Sequence, residues 1–149
     1  MVATEAVVRA LRAAHLHDAN RQALLRMACD RIRSWGSPYT SVYAYMLHDG
    51  ELVLEAHAGR ETEHVRIPVG VGVCGTAVAE KADQNVPDVT AVGNYLACNA
   101  FTKSELVVLI RRGDHILGQI DIDSDVRDGF GEREHADVKT VADALAVLL

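Results

Sequence analysis

Cysteine and acidic side chains are the groups in this sequence whose types and spacing could do covalent chemistry. Cys74 lies within PVGVGVCGTAVAEK, in which the glycines at 70, 72 and 75 spell the pattern G-x-G-x-x-G. The residues after these glycines predict the start of a helix, where free N–H groups favour negative charge. A thiol at a helix start has a lowered pKa. Cys74 is therefore a candidate accessory thiol.

The same glycine pattern also cradles the pyrophosphate in dinucleotide-binding proteins. That role requires an alternating β-α-β unit and an acid about twenty residues after the pattern. Here predicted hairpins flank the glycines, and Asp88 comes too early to serve as that acid. We interpret the glycines instead as a tight turn in which glycine avoids a steric cost.

Acidic residues cluster on a predicted hairpin in the last third of the chain. Strand alternation in HILGQIDIDS predicts two faces, with Ile116, Gly118, Ile120 and Ile122 on one and Leu117, Gln119, Asp121 and Asp123 on the other. Neighbouring carboxylates raise each other's proton affinity. If Glu105, at the start of the preceding strand, points to the same face, the three acids form a patch that a bound ammonium group would neutralise. The alternative is that they lie in water at a strand end.

The apolar pattern predicts one α+β domain over residues 1–149. It predicts a helix within DANRQALLRMACDRIRSW, where Cys29 lies beside the apolar stripe as a small core residue. Further elements are two hairpins, TSVYAYMLHDGELVLEAHAG and ELVVLIRRGDHILGQIDIDS, the short strands VRIPVG and QNVPDV, a short helix CGTAVAEKA, a loop TAVGNYLACNAFTKS and a C-terminal helix. We expect a central antiparallel sheet with the N- and C-terminal helices on one face and a pocket-covering loop on the other.

Composition and charge exclude several classes of function. The net charge of -6 argues against a nucleic-acid partner, which requires a cationic face. No apolar run is long enough to span a bilayer, and the first residues lack the apolar core of a signal peptide. Three cysteines form no even disulfide framework, and the histidines have no metal-binding spacing. We therefore expect a cytoplasmic protein without a metal, a membrane or a nucleic-acid partner.

Four segments together resemble the GAF domain, and within it the free methionine-(R)-sulfoxide reductases. They are RIPVGVGVCGTAVAEK, VPDV, YLACNAFTKSELVVLI and HILGQIDIDS. The resemblance covers the chain from about Val65 to the C-terminus, and the first third follows it only in the order of elements.

The resemblance implies roles for six residues. The nucleophile of the family corresponds to Cys98, and Cys74 corresponds to a cysteine that assists its recycling. Acids at the positions of Glu105, Asp121 and Asp123 hold the substrate, and Asp88 corresponds to a further acid near the pocket. No cofactor is implied other than an external dithiol reductant such as thioredoxin or glutaredoxin.

The sequence departs from the family at four positions. The upstream cysteine of the family is replaced by His64, and the acid after the nucleophile is replaced by Asn99. The strand VYAYM lacks the tryptophan that forms an aromatic wall, and Leu109 stands where proline is usual. These departures affect recycling and substrate fit.

Two functions from different classes follow. In the first, the Cys98 thiolate reduces free methionine-(R)-sulfoxide, a carboxyl group of Asp121 or Asp123 donates a proton, and Cys74 is a candidate resolving thiol. In the second, the chain is a non-catalytic GAF domain that senses a small amine-bearing ligand or acts as a dimeric signalling module. A homodimer is compatible with both.

Overall fold

Six antiparallel strands and four α-helices make up the part of the chain that the structure describes. The structure is a computed structural model, and it describes residues 2–93, 95 and 100–149. The helices are α1 (Val2–Leu16), α2 (Arg21–Arg33), α3 (Gly72–Glu80) and α4 (Glu132–Leu148). The strands are β1 (Ser41–His48), β2 (Glu51–Ala58), β3 (Arg66–Pro68), β4 (Gln84–Val86), β5 (Ser104–Arg112) and β6 (His115–Ser124), in the sheet order β3-β2-β1-β6-β5-β4.

The two long hairpins predicted from the sequence are confirmed as β1–β2 and β5–β6. The first turns at Asp49 and Gly50, whose φ angles of +48° and +81° are those of a two-residue hairpin turn. The central pairing joins β1 to β6, with Tyr43 opposite Asp121. This pairing brings the second hairpin into the middle of the sheet, so that its acids lie beside the aromatic side chains of β1.

The layers agree with the predicted α+β architecture. Helices α2 and α4 pack on one face of the sheet, α1 packs against these two helices, and all three share a core with residues such as Val108, Ile120 and Ile122. Helix α3 packs on the opposite face, where Cys74 and Ala77 contact a second apolar cluster with Val107 and Leu109. The predicted pocket-covering loop includes residues 94 and 96–99, which lie outside the described residues.

Helix α1 was not predicted from the sequence. Its apolar stripe is narrow, because Val7 and Leu11 are its fully buried large side chains. They enter the helical core near α4, and Thr4 donates a hydrogen bond to Asp137 of α4. Apolar residues at helical spacing, such as Val7, Leu11 and Ala14, already indicate this helix in the sequence. No helix within residues 2–93 or 100–149 has the length and apolar character to cross a membrane.

The predicted faces of β6 are wrong at the beginning of the strand. An irregularity between Ile110 and Arg111 pairs Ile110 with Gly118 and Arg111 with Ile116, so Leu117 is an extra residue in β6. As a result Ile116 lies in the α3-side cluster, while Leu117 packs on the helical core. A β-bulge shifts the alternation by one residue. From Gly118 onward the predicted faces are correct.

Candidate functional site

Glu105, Asp121 and Asp123 lie on the same face of the β5–β6 hairpin. Glu105 is opposite Asp123, and Val107 is opposite Asp121, so all of these side chains point to the α3 side of the sheet. The three acids are only 4%, 1% and 1% exposed. The alternative that they lie in water at a strand end is therefore wrong. Three buried carboxyl groups together are costly unless protons or a cation neutralise them.

Helix α3 places Cys74 directly against these acids. Its turn requires glycine, because Gly70 and Gly72 have φ angles of +93° and +67°. A Cβ atom on Gly75 would lie 2.5 Å from the carbonyl oxygen of Pro68, so only glycine allows this close approach. The Cys74 thiol is buried and donates a hydrogen bond to Glu105, with 3.9 Å between Sγ and Oε2. The glycine pattern thus serves backbone geometry.

Gln119 connects the helix to the sheet and was not assigned a role from the sequence. Its side-chain Nε2 donates to the backbone carbonyl of Cys74 over 3.0 Å, and the residue is fully buried. Alternation had placed Gln119 on the same face as Asp121, which was the available signal. What alternation does not show is that α3 crosses above this position.

The electrostatics of Cys74 are opposite to those predicted from the sequence. Burial raises the pKa of the Cys74 thiol well above its usual value, and the nearby carboxyl groups of Asp121 and Glu105 raise it further. Burial also raises the pKa of Asp121. Hydrogen bonds with Glu105 and Cys74 lower this pKa, but their effect is smaller than that of burial. The helix start favours the thiolate and so lowers the pKa of the thiol, but this effect is smaller than the opposite effects of desolvation and the neighbouring acids. Cys74 is thus held as a neutral thiol.

A small cavity lies between α3 and the acids. Its described lining consists of Ile67, Val71, Gly72, Val73, Cys74, Glu105, Asp121 and His64, the residue that replaces the upstream cysteine. The volume of about 10 Å³ is near the minimum that holds one water molecule. A ligand of amino-acid size therefore requires the walls to move apart.

Two tyrosines of β1 lie on the same side of the sheet as the cavity, although neither is in its described lining. Tyr43 and Tyr45 are fully buried on the α3 side of the sheet, opposite Asp121 and Gln119. Their hydroxyl groups donate to the backbone carbonyls of Arg60 and His64, each over 2.7 Å. The two tyrosines therefore hold the segment that carries His64 against the cavity.

The remaining predicted residues lie elsewhere or outside the described residues. The Asp88 carboxylate accepts hydrogen bonds from Thr90 and pairs with Arg127, and Asp88 is not in the described lining of the cavity, so its substrate-binding role stays a prediction. Cys98 and Asn99 lie outside the described residues. Cys29 is a core residue of α2, as expected, and burial raises its pKa to about 12.

An antiparallel sheet with helices on one face, and a short helix over a small cavity with buried acids on the other, defines an α+β domain. The GAF domain model matches residues 9–149, and the chain belongs to the GAF domain family.

Individual relatives include named reductases. The chain is 36% identical over 127 residues to Protein YtsP of Bacillus subtilis, covering 85% of this chain and 74% of that protein. It is 38% identical to the free methionine-R-sulfoxide reductase of Escherichia coli, covering 70% of this chain but only 63% of that enzyme. The structure of a type II free methionine-R-sulfoxide reductase from Thermoplasma acidophilum aligns with a TM-score of 0.83 and 37% identity, covering 86% of this chain and 91% of that one.

Proposed function

We propose that the chain reduces free methionine-(R)-sulfoxide to methionine. The observation that carries the proposal is that Cys74 and two buried acids, Glu105 and Asp121, line one cavity. A buried acidic group selects a cationic ligand, and the ammonium group of a free amino acid is such a cation. The similarity to named reductases supports the same substrate.

The reaction that we propose begins at Cys98. Its thiolate attacks the sulfoxide sulfur, and a carboxyl group of Asp121 or Asp123 donates a proton to the departing oxygen. Burial raises the pKa of Asp121, which favours the protonated carboxyl group that this step requires. The oxygen is transferred to Cys98, so the sulfoxide is reduced to a thioether and the thiol is oxidised to sulfenic acid.

Recycling would then use Cys74. Its thiol condenses with the sulfenic acid, which forms a disulfide and releases water. The Cys74 thiol already donates a hydrogen bond to Glu105, so this carboxylate is placed to accept the thiol proton. A dithiol protein of the thioredoxin or glutaredoxin type would reduce the disulfide, in the cytoplasm. His64, which replaces the upstream cysteine, leaves Cys74 as the candidate resolving thiol.

A turnover assay driven by dithiothreitol tests this function. We expect reduction of the free R epimer and not of the S epimer. Cys98→Ser should abolish turnover, and Cys29→Ser should retain it, because Cys29 lies in the core on the opposite face of the sheet. Absence of turnover by the unmodified protein would contradict the proposal.

A second candidate is a non-catalytic domain that binds an amine-bearing ligand or acts as a dimeric module. It is favoured by one observation, that His64 lines the cavity where the family has a cysteine. A chain that binds methionine or its sulfoxide without turnover would support this candidate.

A further inference from the structure

We propose that Cys74, Glu105 and Asp121 form a site for one thiophilic divalent cation of the Zn²⁺ class. Binding is a property of these side chains and does not depend on the proposed reductase activity. The three residues come from α3, β5 and β6, so they are far apart in the sequence and form no metal-binding motif. For this reason the spacing of cysteines and histidines in the sequence indicates no metal site.

The donor atoms are close enough for one ion. The Cys74 sulfur and one carboxylate oxygen from each acid all lie within 4.8 Å of one another. In a tetrahedral zinc site, bonds of about 2.0–2.3 Å separate the donors by about 3.3–3.8 Å. The sulfur and Glu105 Oε2 are already 3.9 Å apart. Binding therefore requires a contraction of up to about 1.5 Å between the donor atoms.

An unsatisfied oxygen supplies independent support. Asp121 is 1% exposed, and its Oδ1 atom has no hydrogen-bond partner among the described residues. Burial of such an oxygen costs about 1–3 kcal/mol. Asp121 also lines the small cavity beside Cys74 and Glu105. The cavity of about 10 Å³ has room for an ion or one water molecule and for little else.

The chemistry of the donors favours a borderline-soft cation. Two carboxylates and one thiolate carry three negative charges, which more than neutralise a divalent cation, and a thiolate favours Zn²⁺ over Mg²⁺ or Ca²⁺. When the metal–sulfur bond forms, the thiol proton leaves to solvent. A water molecule in the fourth coordination position requires the cavity walls to move apart, because the cavity of about 10 Å³ does not hold an ion and a water together.

Occupancy by the cation would exclude an ammonium group from the same acids. The metal and an amino-acid ligand are therefore expected to compete. This consequence rests on the proposed function, whereas binding of the metal does not.

Cobalt binding to the whole reduced protein tests the site. Co²⁺ bound to a thiolate gives a near-ultraviolet charge-transfer band that carboxylates alone do not give. We expect one Co²⁺ per chain with this band, and displacement by Zn²⁺. The band should be lost in Cys74→Ser, and affinity should fall at least 10-fold in Asp121→Asn. The charge-transfer band should persist in Cys29→Ser, which removes a buried thiol on the opposite face of the sheet.

Cys98 requires its own control, because a thiol outside the described residues could bind Co²⁺. Persistence of the band in Cys74→Ser together with its loss in Cys98→Ser would overturn the proposal. Absence of the band in the unmodified protein would also overturn it. Should Cys74→Ser fail to fold, protection of Cys74 from alkylation by Zn²⁺ in the unmodified protein decides, since an unprotected Cys74 contradicts the site.

Discussion

Glu105 of β5 is the direct register partner of Asp123 of β6, and both carboxyl groups are buried. Like charges opposite each other on a sheet destabilise it. The sheet therefore holds an arrangement that opposes folding at the place where the candidate site lies.

Glu105→Gln should stabilise the fold and weaken the proposed activity. The amide removes a buried charge while keeping the shape of the side chain. We expect a gain of about 1 kcal/mol, or about 2–4 °C in Tm, with a loss of about 10- to 100-fold in kcat/KM for the free sulfoxide. Calorimetry and the turnover assay measure the two effects. Glu63→Gln, at an exposed position outside the described cavity lining, is the control, and a lower Tm in Glu105→Gln would contradict the prediction.

Blocking the ammonium group of the substrate should abolish recognition. N-acetyl methionine sulfoxide has no cation for the buried acids, so kcat/KM should fall at least 100-fold relative to the free amino acid. The variant Asp121→Asn should reduce turnover of the free amino acid. The ratio of kcat/KM between the free and the acetylated substrate should therefore be smaller in this variant than in the unmodified protein. Equal turnover of the free and acetylated substrates would show that the acids do not select an ammonium group.

Gly75→Ala should disrupt the placement of Cys74. The added Cβ would meet the Pro68 carbonyl at 2.5 Å and the Gly70 nitrogen at 2.9 Å, and both are backbone atoms that cannot rotate away. We expect a loss of about 1–3 kcal/mol in the free energy of unfolding and loss of turnover. Urea unfolding measures the first effect. Gly93→Ala has no described residue within 4 Å of its added carbon and should be near neutral.

Cys29 should weaken the fold at alkaline pH. Burial raises its pKa from 9.0 to about 12, so between these values the unfolded chain loses a proton that the folded chain retains. Stability then falls as pH rises, by up to about 1.4 kcal/mol per pH unit. Urea unfolding between pH 9.5 and 11 should show a steeper decline for the unmodified protein than for Cys29→Ala. Parallel declines would mean that the Cys29 thiol ionises as easily when folded.

Local sequence pattern accounts for much of the fold and for part of the site. Strand alternation correctly predicts that Asp121 and Asp123 share one face, and the Asp49–Gly50 pair correctly predicts a hairpin turn. Both predictions depend only on residues that are neighbours in the sequence. The contact between Cys74 and Glu105 could not be predicted from the sequence, because it depends on where α3 crosses the sheet. For the same reason the pKa of Cys74 was predicted in the wrong direction.

The extra residue at Leu117 also determines how the sheet tolerates changes of length. The bulge lies between the turn at residues 112–115 and Gly118. The face on which Asp121 and Asp123 lie is therefore determined by their pairing with β1 and β5, and not by that turn. A longer peptide grafted into that turn should therefore leave the acids where they are. This hairpin tip offers a place to attach a reporter without disturbing the cavity.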